Sequence, residues 1–389
     1  MRTLTARIAE VLAAALFTLP LNGCLDQRIY EKIAFIVNVG IDTSDDGKLL
    51  VTYTYPVSGG SETSGGQSGG GGEASGSIPI DIIDTEADLL REAREKSNEI
   101  SPRKLEGGKI QNLLIGKSIA QIGLQDFLDI FERDPKNPVL AWVIVVDGSA
   151  GDLIRKGHNF KNKPPLGIYI NQLVDDNSRT GYCPAETIID FNVESSIPGI
   201  DPIACMVAMD DDGVRVTGSA LFHRGKLTGK LDTQESAHLM MMKGRKKESM
   251  IYFIPPRELA GLKKKAALSL QGIKNKFEFR INDGVPEVTY NIKLETGLEE
   301  YKFYSMLDED KESRLAKAAQ EQISRRMQEV FDKLKEASCD TLGIGDKVRA
   351  YENDYWNQIG GKDGWEKIYP KVRAAFNVEV KINNFGRLK

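Results

Sequence analysis

The reactive side chains of this 389-residue chain are few: four cysteines and three histidines. His158, His223 and His238 have no His or Cys three or four residues away, and no Cys-x-x-Cys occurs, so local spacing encodes no metal site. Gly116-Lys117-Ser118 has the tail of a phosphate-binding loop. Gln111 stands where the first glycine belongs, however, and Asn112-Leu113-Leu114-Ile115 reads as a strand rather than a turn of bare N–H groups. Gly343-Ile344-Gly345 lacks the third glycine and the preceding strand of a dinucleotide site, and reads as a helix stop. Gly66-Gln67-Ser68-Gly69-Gly70 spells a serine-nucleophile pattern inside a low-complexity stretch, far from the strand-to-helix turn that chemistry requires. Carboxylates are too scattered to nominate an acid–base pair. The expectation is a protein that is not an enzyme, with no catalytic residue, no cofactor and no metal.

One thiol does stand where chemistry has a use for it. Arg2 and Arg7 precede the apolar run Val11 to Pro20, which suits a secretory leader and is too short to span a bilayer. The run ends in Leu21-Asn22-Gly23-Cys24. An aliphatic residue at −3 and a small one at −1 before Cys resemble the lipobox of bacterial lipoproteins. That resemblance implies cleavage at Gly23-Cys24, with S-diacylglycerol and an N-acyl chain such as palmitate on Cys24. Glu10 and Asn22 depart from the ideal pattern, and an ordinary signal peptide with a chance cysteine is the alternative. Each buried CH₂ contributes roughly 0.8 kcal/mol, so two or three chains anchor firmly where one does not. Net charge is −4, and one unit more negative once Arg2, Arg7 and Glu10 leave, which excludes a basic nucleic-acid footprint and argues against a polybasic grip on lipid. Of the remaining thiols, Cys183 and Cys205 could bridge or serve, like Cys339, as buried small residues.

The elements that would carry these residues are α/β in the first half and α+β in the second: a multi-domain protein of mixed sheets flanked by helices. After the leader (1–23), residues 24–197 read as one α/β domain. Its strands are expected at 33–39, 49–55, 78–83, 110–115 and 139–146, with Asp45-Asp46-Gly47 as a turn. Residues 58–77, of which 15 are Gly or Ser, read as a flexible loop. Thr85 with Asp88 predicts a helix start running to about 98, and further helices follow near 124–133, 149–157, 166–177 and 185–194. The cluster Ile197-Pro198-Gly199-Ile200-Asp201-Pro202 is the expected boundary. Residues 203–389 then read as two subdomains, about 203–295 and 296–389. A meander at 203–231 leads into a helix after Thr233, and strands at 250–254, 266–270, 276–282 and 287–295 follow, turning at Asp283-Gly284. A helix over about 308–337 carries the stripe Leu315, Ala319, Ile323, Met327, Val330, Leu334, for a sheet or for a partner helix. A last helix at 364–375 precedes a strand at 378–382. Tyr351, Tyr355, Trp356, Trp365, Tyr369 and Phe376 crowd this end, as core or as a partner surface.

Several stretches together resemble the Ger(x)C family, the lipoprotein C subunits of bacterial spore germinant receptors. They are Gly23-Cys24-Leu25-Asp26, Leu113-Leu114-Ile115-Gly116, Leu128-Asp129-Ile130-Phe131-Glu132-Arg133-Asp134 and Gly218-Ser219-Ala220-Leu221-Phe222-His223-Arg224-Gly225-Lys226-Leu227-Thr228-Gly229. Asp340-Thr341-Leu342-Gly343-Ile344-Gly345, the Trp365, Tyr369-Pro370-Lys371 and Phe376-Asn377-Val378-Glu379-Val380 series, and Gly386 complete the set. Leu25 replaces the usual Trp, and the 58–77 insertion is long for this loop. The resemblance implies three α/β domains, no enzymatic activity, and a complex with integral-membrane A and B subunits at the spore inner membrane that starts germination on nutrients. It supplies no binding residue beyond Cys24. A solute-binding lipoprotein of a transport system is the other reading, and it would need two similar βαβ lobes joined by a hinge.

Overall fold

A computed structural model describes residues 32–57, 79–134, 136–245, 250–254, 266–301 and 309–384. The leader, Cys24 and the Gly/Ser stretch 58–77 lie outside the described residues. The first half is built on a mixed sheet. Its strands, in chain order, are β2 (Asn38–Thr43), β3 (Leu49–Pro56), β4 (Ile80–Ala87), β6 (Asn112–Gly116), β7 (Trp142–Val146), β8 (Ile203–Asp210), β9 (Gly213–His223) and β10 (Lys226–Leu231). Spatially they run β10-β9-β8-β7-β6-β2-β3-β4, and β2, β6, β7 and β8 form its parallel centre. A short ribbon of β1 (Ile33–Phe35) and β5 (Lys104–Glu106) stands beside it.

The continuous apolar runs of the central strands follow from burial on both faces. Leu113, Ile115, Val143, Val145 and Met206 face one helix layer: α1 (Leu90–Ile100), α2 (Lys117–Ile122), α3 (Gln125–Arg133) and α6 (Ile188–Ser196). Leu114, Ile144, Val146 and Val207 face the other: α4 (Ala150–Gly157) and α5 (Leu166–Arg179). Thr85 does not cap a helix. It lies in β4, where its Oγ1 meets Ser97 Oγ at 2.7 Å, and α1 starts later than the capping reading requires, after Leu89, with no side-chain cap. α7 (Thr233–Lys243) follows the meander, capped by Asp232 and Glu235 in a reciprocal box.

The second half is a four-stranded sheet, β11 (Met250–Ile254), β12 (Ala266–Asn282), β13 (Val285–Tyr301) and β14 (Arg373–Asn384). The strands read at 266–270, 276–282 and 287–295 are parts of one long hairpin turning at Asp283-Gly284, and the 250–254 strand is β11 beside it. The whole predicted stripe of α8 (Glu309–Glu336) is buried, so this face belongs to the sheet rather than to a partner. Gln320 Oε1 accepts from Val380 N at 3.1 Å, and Ser324 Oγ donates to the Phe376 carbonyl at 2.6 Å, so the helix also covers part of the β14 edge. α9 (Ile344–Tyr351), α10 (Asn353–Gln358) and α11 (Gly361–Ile368) precede β14. The last helix therefore ends before Ala375, which lies in a strand: Pro370 and the 3-10 turn Tyr369–Lys371 stop it, and β14 pairs with β13 from Arg373 onward.

Both expected domain cuts fall inside sheets. The 197–203 cut would separate β8–β10 from a sheet they complete, and the 295/296 cut would split β13. The Pro/Gly cluster is a joint instead. Asp340, 2% exposed, accepts from Ile344 N (3.0 Å), Gly345 N (2.7 Å) and Trp365 Nε1 (3.1 Å). Across the seam Asp201 N donates to the Asp340 carbonyl, Asp340 N donates to Asp201 Oδ2 at 3.0 Å, and Asp346 N donates to the Gly199 carbonyl. Gly199 (φ +86°) and Gly345 pack backbone on backbone; a Cβ on Gly199 would lie 2.4 Å from the Gly345 carbonyl carbon. His223 Nδ1 faces Asp201 Oδ2 at 3.3 Å and its Nε2 lies 3.8 Å from Glu366, which also takes two bonds from Arg224.

The joint can be probed by packing and by pH. Gly199→Ala adds a side chain where backbone already stands and φ is left-handed, so unfolding experiments should show a loss of about 3 kcal/mol or more. Unchanged stability would mean the seam is not packed this way. For pH, burial pushes Asp340 up from 3.8 to about 7 against the pull of its backbone N–H partners, and the Asp201 carboxylate raises His223 above its ordinary 6.5. Both groups hold protons more tightly when folded, so their stabilisation is lost as pH rises, Asp340's between 3.8 and about 7 and His223's above 6.5. His223→Gln should therefore cost stability at about pH 5.5 and much less at about pH 8.5. Equal costs at both would remove the charged His223–Asp201 pair.

Candidate functional site

The residues that invited catalytic readings have structural work. Gly116 ends β6 with Asp42 against it: an added Cβ would sit 1.8 Å from Asp42 Oδ1. That carboxylate accepts from Ala150 N, Gly151 N and Ser149 Oγ at the start of α4, and Lys117 Nζ is held by Asp147 at 2.8 Å. Carboxylates thus surround Gly116-Lys117-Ser118, which is the wrong charge for phosphate. Gly343 does not stop a helix; it is the left-handed N-cap of α9 (φ +63°), and the loop it belongs to wraps Asp340. His158 is the C-cap of α4. His238 is buried in α7, donates Nδ1–H to the Gln234 carbonyl at 2.6 Å and meets Tyr252 edge-on, and burial pushes its pKa down. Met240, Met241 and Met242 join the same core.

Cys183, Cys205 and Cys339 are free, buried thiols. Burial and the adjacent Cys183 push the Cys205 thiol up, so it stays protonated and unreactive. Trp356, Trp365, Tyr369 and Phe376 are core, with Phe376 stacked on Tyr290 at 5.3 Å; Tyr351 alone among the six is fully exposed. Among the described residues there is no group of metal-ligating side chains, and no helix is long and apolar enough to cross a membrane.

What sequence reasoning missed is a set of buried charges beside the joint. Glu194 (α6) is 8% exposed, and its Oε1 accepts from Lys243 Nζ at 3.5 Å and Arg245 Nη2 at 3.3 Å. Lys243 also donates to Thr341 Oγ1 at 2.9 Å, and Arg245 pairs with buried Glu186. Burial pushes Glu186 up and Lys243 down, while Glu194 pulls Lys243 back toward the charged form. Glu194, Lys243, Arg245 and Thr341 line one side of an open cleft of about 470 Å³, with Asn275 and Phe277 of β12, Tyr290 of β13 and Lys347 of α9 on the other. Lys347 Nζ lies 4.5 Å over the Phe277 ring and donates to the Leu342 carbonyl at 2.7 Å. The members come from separate, distant chain segments, so no spacing signal could have found them.

The two glycine-rich motifs, Gly218 to Gly229 on the β9–β10 hairpin and Asp340 to Gly345 in the loop, meet at the joint through Asp201 and His223. Residues 26–209 match the family described as spore germination protein N-terminal domain, and residues 217–386 match spore germination B3/GerAC like, C-terminal. Spore germination protein GerQC of Bacillus cereus is 22% identical over 369 residues, covering 94% of this chain and 96% of that one. Spore germination protein B3 of Bacillus subtilis (strain 168) is 22% identical, covering 95% of each chain. The crystal structure of the GerBC protein superposes with a TM-score of 0.53 at 20% identity, over 89% of this chain and 97% of that one, so the fold is shared. With both family domains matched in order along the chain, this protein belongs to the Ger(x)C family of spore germination proteins, which are receptor C subunits and not enzymes.

Proposed function

We propose that this chain is a non-catalytic, lipid-anchored subunit of a spore germinant receptor, needed for nutrient-triggered germination. The observation that carries the anchor is the leader itself: Arg2 and Arg7, a ten-residue apolar run and Leu21-Asn22-Gly23-Cys24. Diacylglycerol on the Cys24 thiol and an N-acyl chain on its amine would confine the folded body to the outer face of the spore inner membrane. Eight residues separate Cys24 from β1, enough extended chain to reach about 30 Å. The body would then meet integral-membrane A and B subunits at the bilayer surface, where a two-dimensional search replaces a three-dimensional one.

The rival reading, a solute-binding lipoprotein, wants two similar βαβ lobes. Here one half has a parallel centre, and the other is a four-stranded sheet whose long hairpin has a single parallel partner strand, with α8 packed along it.

Cys24→Ala should move the protein from the detergent phase to the aqueous phase and lower germination through this receptor. Intact-mass analysis of the native protein should show the leader gone and acyl chains present; an unmodified Cys24 or an uncut leader sinks the anchor. Affinity purification from spore membranes should bring along two integral membrane proteins. Recovery of the lipoprotein alone, under detergents that keep other membrane complexes together, counts against the subunit assignment.

A further inference from the structure

The cleft beside the joint has more polar atoms than its own side chains satisfy. Glu194, Asn275 and Tyr290 all line it, and Glu194 Oε2, Asn275 Oδ1 and the Tyr290 hydroxyl are buried atoms without a hydrogen-bond partner among the described residues. Tyr290 is only 2% exposed, and its ring is fixed by Phe376 (5.3 Å) and Phe277 (5.2 Å), so its hydroxyl has little freedom to turn to another partner. Buried polar atoms are rarely left unpaired, because desolvating them without compensation is costly. Charge points the same way. Lys243 and Arg245 are matched by Glu194 and Glu186, whereas Lys347 makes no ion pair among the described residues and spends one of its three N–H bonds on the Leu342 carbonyl.

We propose that this cleft binds a small organic anion that also carries O–H or N–H donors, of which a hydroxycarboxylate is the simplest form. The anionic oxygens accept from Lys347 Nζ and the Tyr290 hydroxyl. The ligand's own donors go to Glu194 Oε2 and Asn275 Oδ1, two acceptors that a bare anion would leave unpaired. A short carbon skeleton lies on Met242, Ile273 and Phe277, which also line the cleft. At about 470 Å³ the space suits a small metabolite. A phosphate ester would present the same anionic oxygens as a carboxylate, so the probes must separate the two.

The test is calorimetric titration of the full-length protein in detergent micelles with four probes: glycerate, glycerol 3-phosphate, acetate and glycerol. Glycerate or glycerol 3-phosphate should bind at least roughly tenfold more tightly than acetate, which lacks donors, and than glycerol, which lacks charge; tenfold corresponds to the loss of one good charged hydrogen bond. The preference between the first two identifies the anionic group. Tyr290→Phe keeps the stacked ring and removes only a hydroxyl that no described residue bonds. It should leave the thermal midpoint of the free protein unchanged or raised while weakening the ligand roughly tenfold, and Lys347→Gln should weaken it at least as much. A structural role for the hydroxyl predicts the reverse, a lower midpoint with affinity unchanged. No binding by any probe, acetate as tight as glycerate, or both variants binding as the parent does would each overturn the proposal. None of these results bears on Cys24, so the anchor stands or falls separately.

Discussion

The arrangement of the two halves depends on one buried carboxylate. Asp340 is 2% exposed and is tolerated there because three N–H donors converge on it from its own loop and from Trp365. An unpaired carboxylate at that depth would cost several kcal/mol, so the loop cannot relax without losing the helix start of α9, and α11 is drawn in through the indole. The backbone of the same residue is shared with Asp201 on the other side of the seam, by one bond in each direction. Gly199 and Gly345 are glycine because this pairing brings two backbones within a Cβ of each other. The two sheets therefore share a backbone-to-backbone joint, which is less forgiving than a side-chain interface.

Much of the fold was legible because its physics is local. The meander at 203–231, the Asp283-Gly284 hairpin and the α8 stripe each follow from a few adjacent residues, and each is found where expected. The misreadings share a cause: local signals that tertiary pairing overrode. Thr85 has the chemistry of an N-cap, but its neighbours pair with β3, and the hydroxyl goes to Ser97 instead. Ile197 to Pro202 has the composition of a linker, yet composition cannot reveal that the 340–346 loop lies against it. Gly343-Ile344-Gly345 follows a helix and so has the look of its stop, whereas the turn at its end is already the start of the next.

Little of the candidate site was legible. Local spacing argues against a phosphate loop at Gly116, whereas the packing of Asp42 against that glycine could not be read from the chain. The cleft charges lie too far apart in sequence to form any pattern, and Lys243 and Arg245 read as ordinary ends of a helix. Neither helical periodicity nor a spacing rule can register that Glu194 faces them, because that contact is made by packing α6 against the loop after α7. The family motifs did better, since Gly345, one of the two glycines that allow the joint, is among the residues that made the resemblance visible.

The joint and the cleft are not independent, because they use the same loop. Asp340 anchors it from behind, and Thr341 and Lys347 present its front to the cleft. Lys347 is among the charges that act on Asp340, favouring its ionised form, and Asp340 in turn favours the protonated lysine. An anion seated on Lys347 would spend part of that lysine's field on itself, so its binding would favour the protonated form of Asp340, and protonation of Asp340 would favour the anion, by equal free energies. A group poised near pH 7 is where such coupling is felt most, because its proton is neither firmly held nor firmly lost. Solute binding at one face of the loop would thereby reach the backbone that joins the two sheets without any long-range rearrangement, through a carboxylate that both already share.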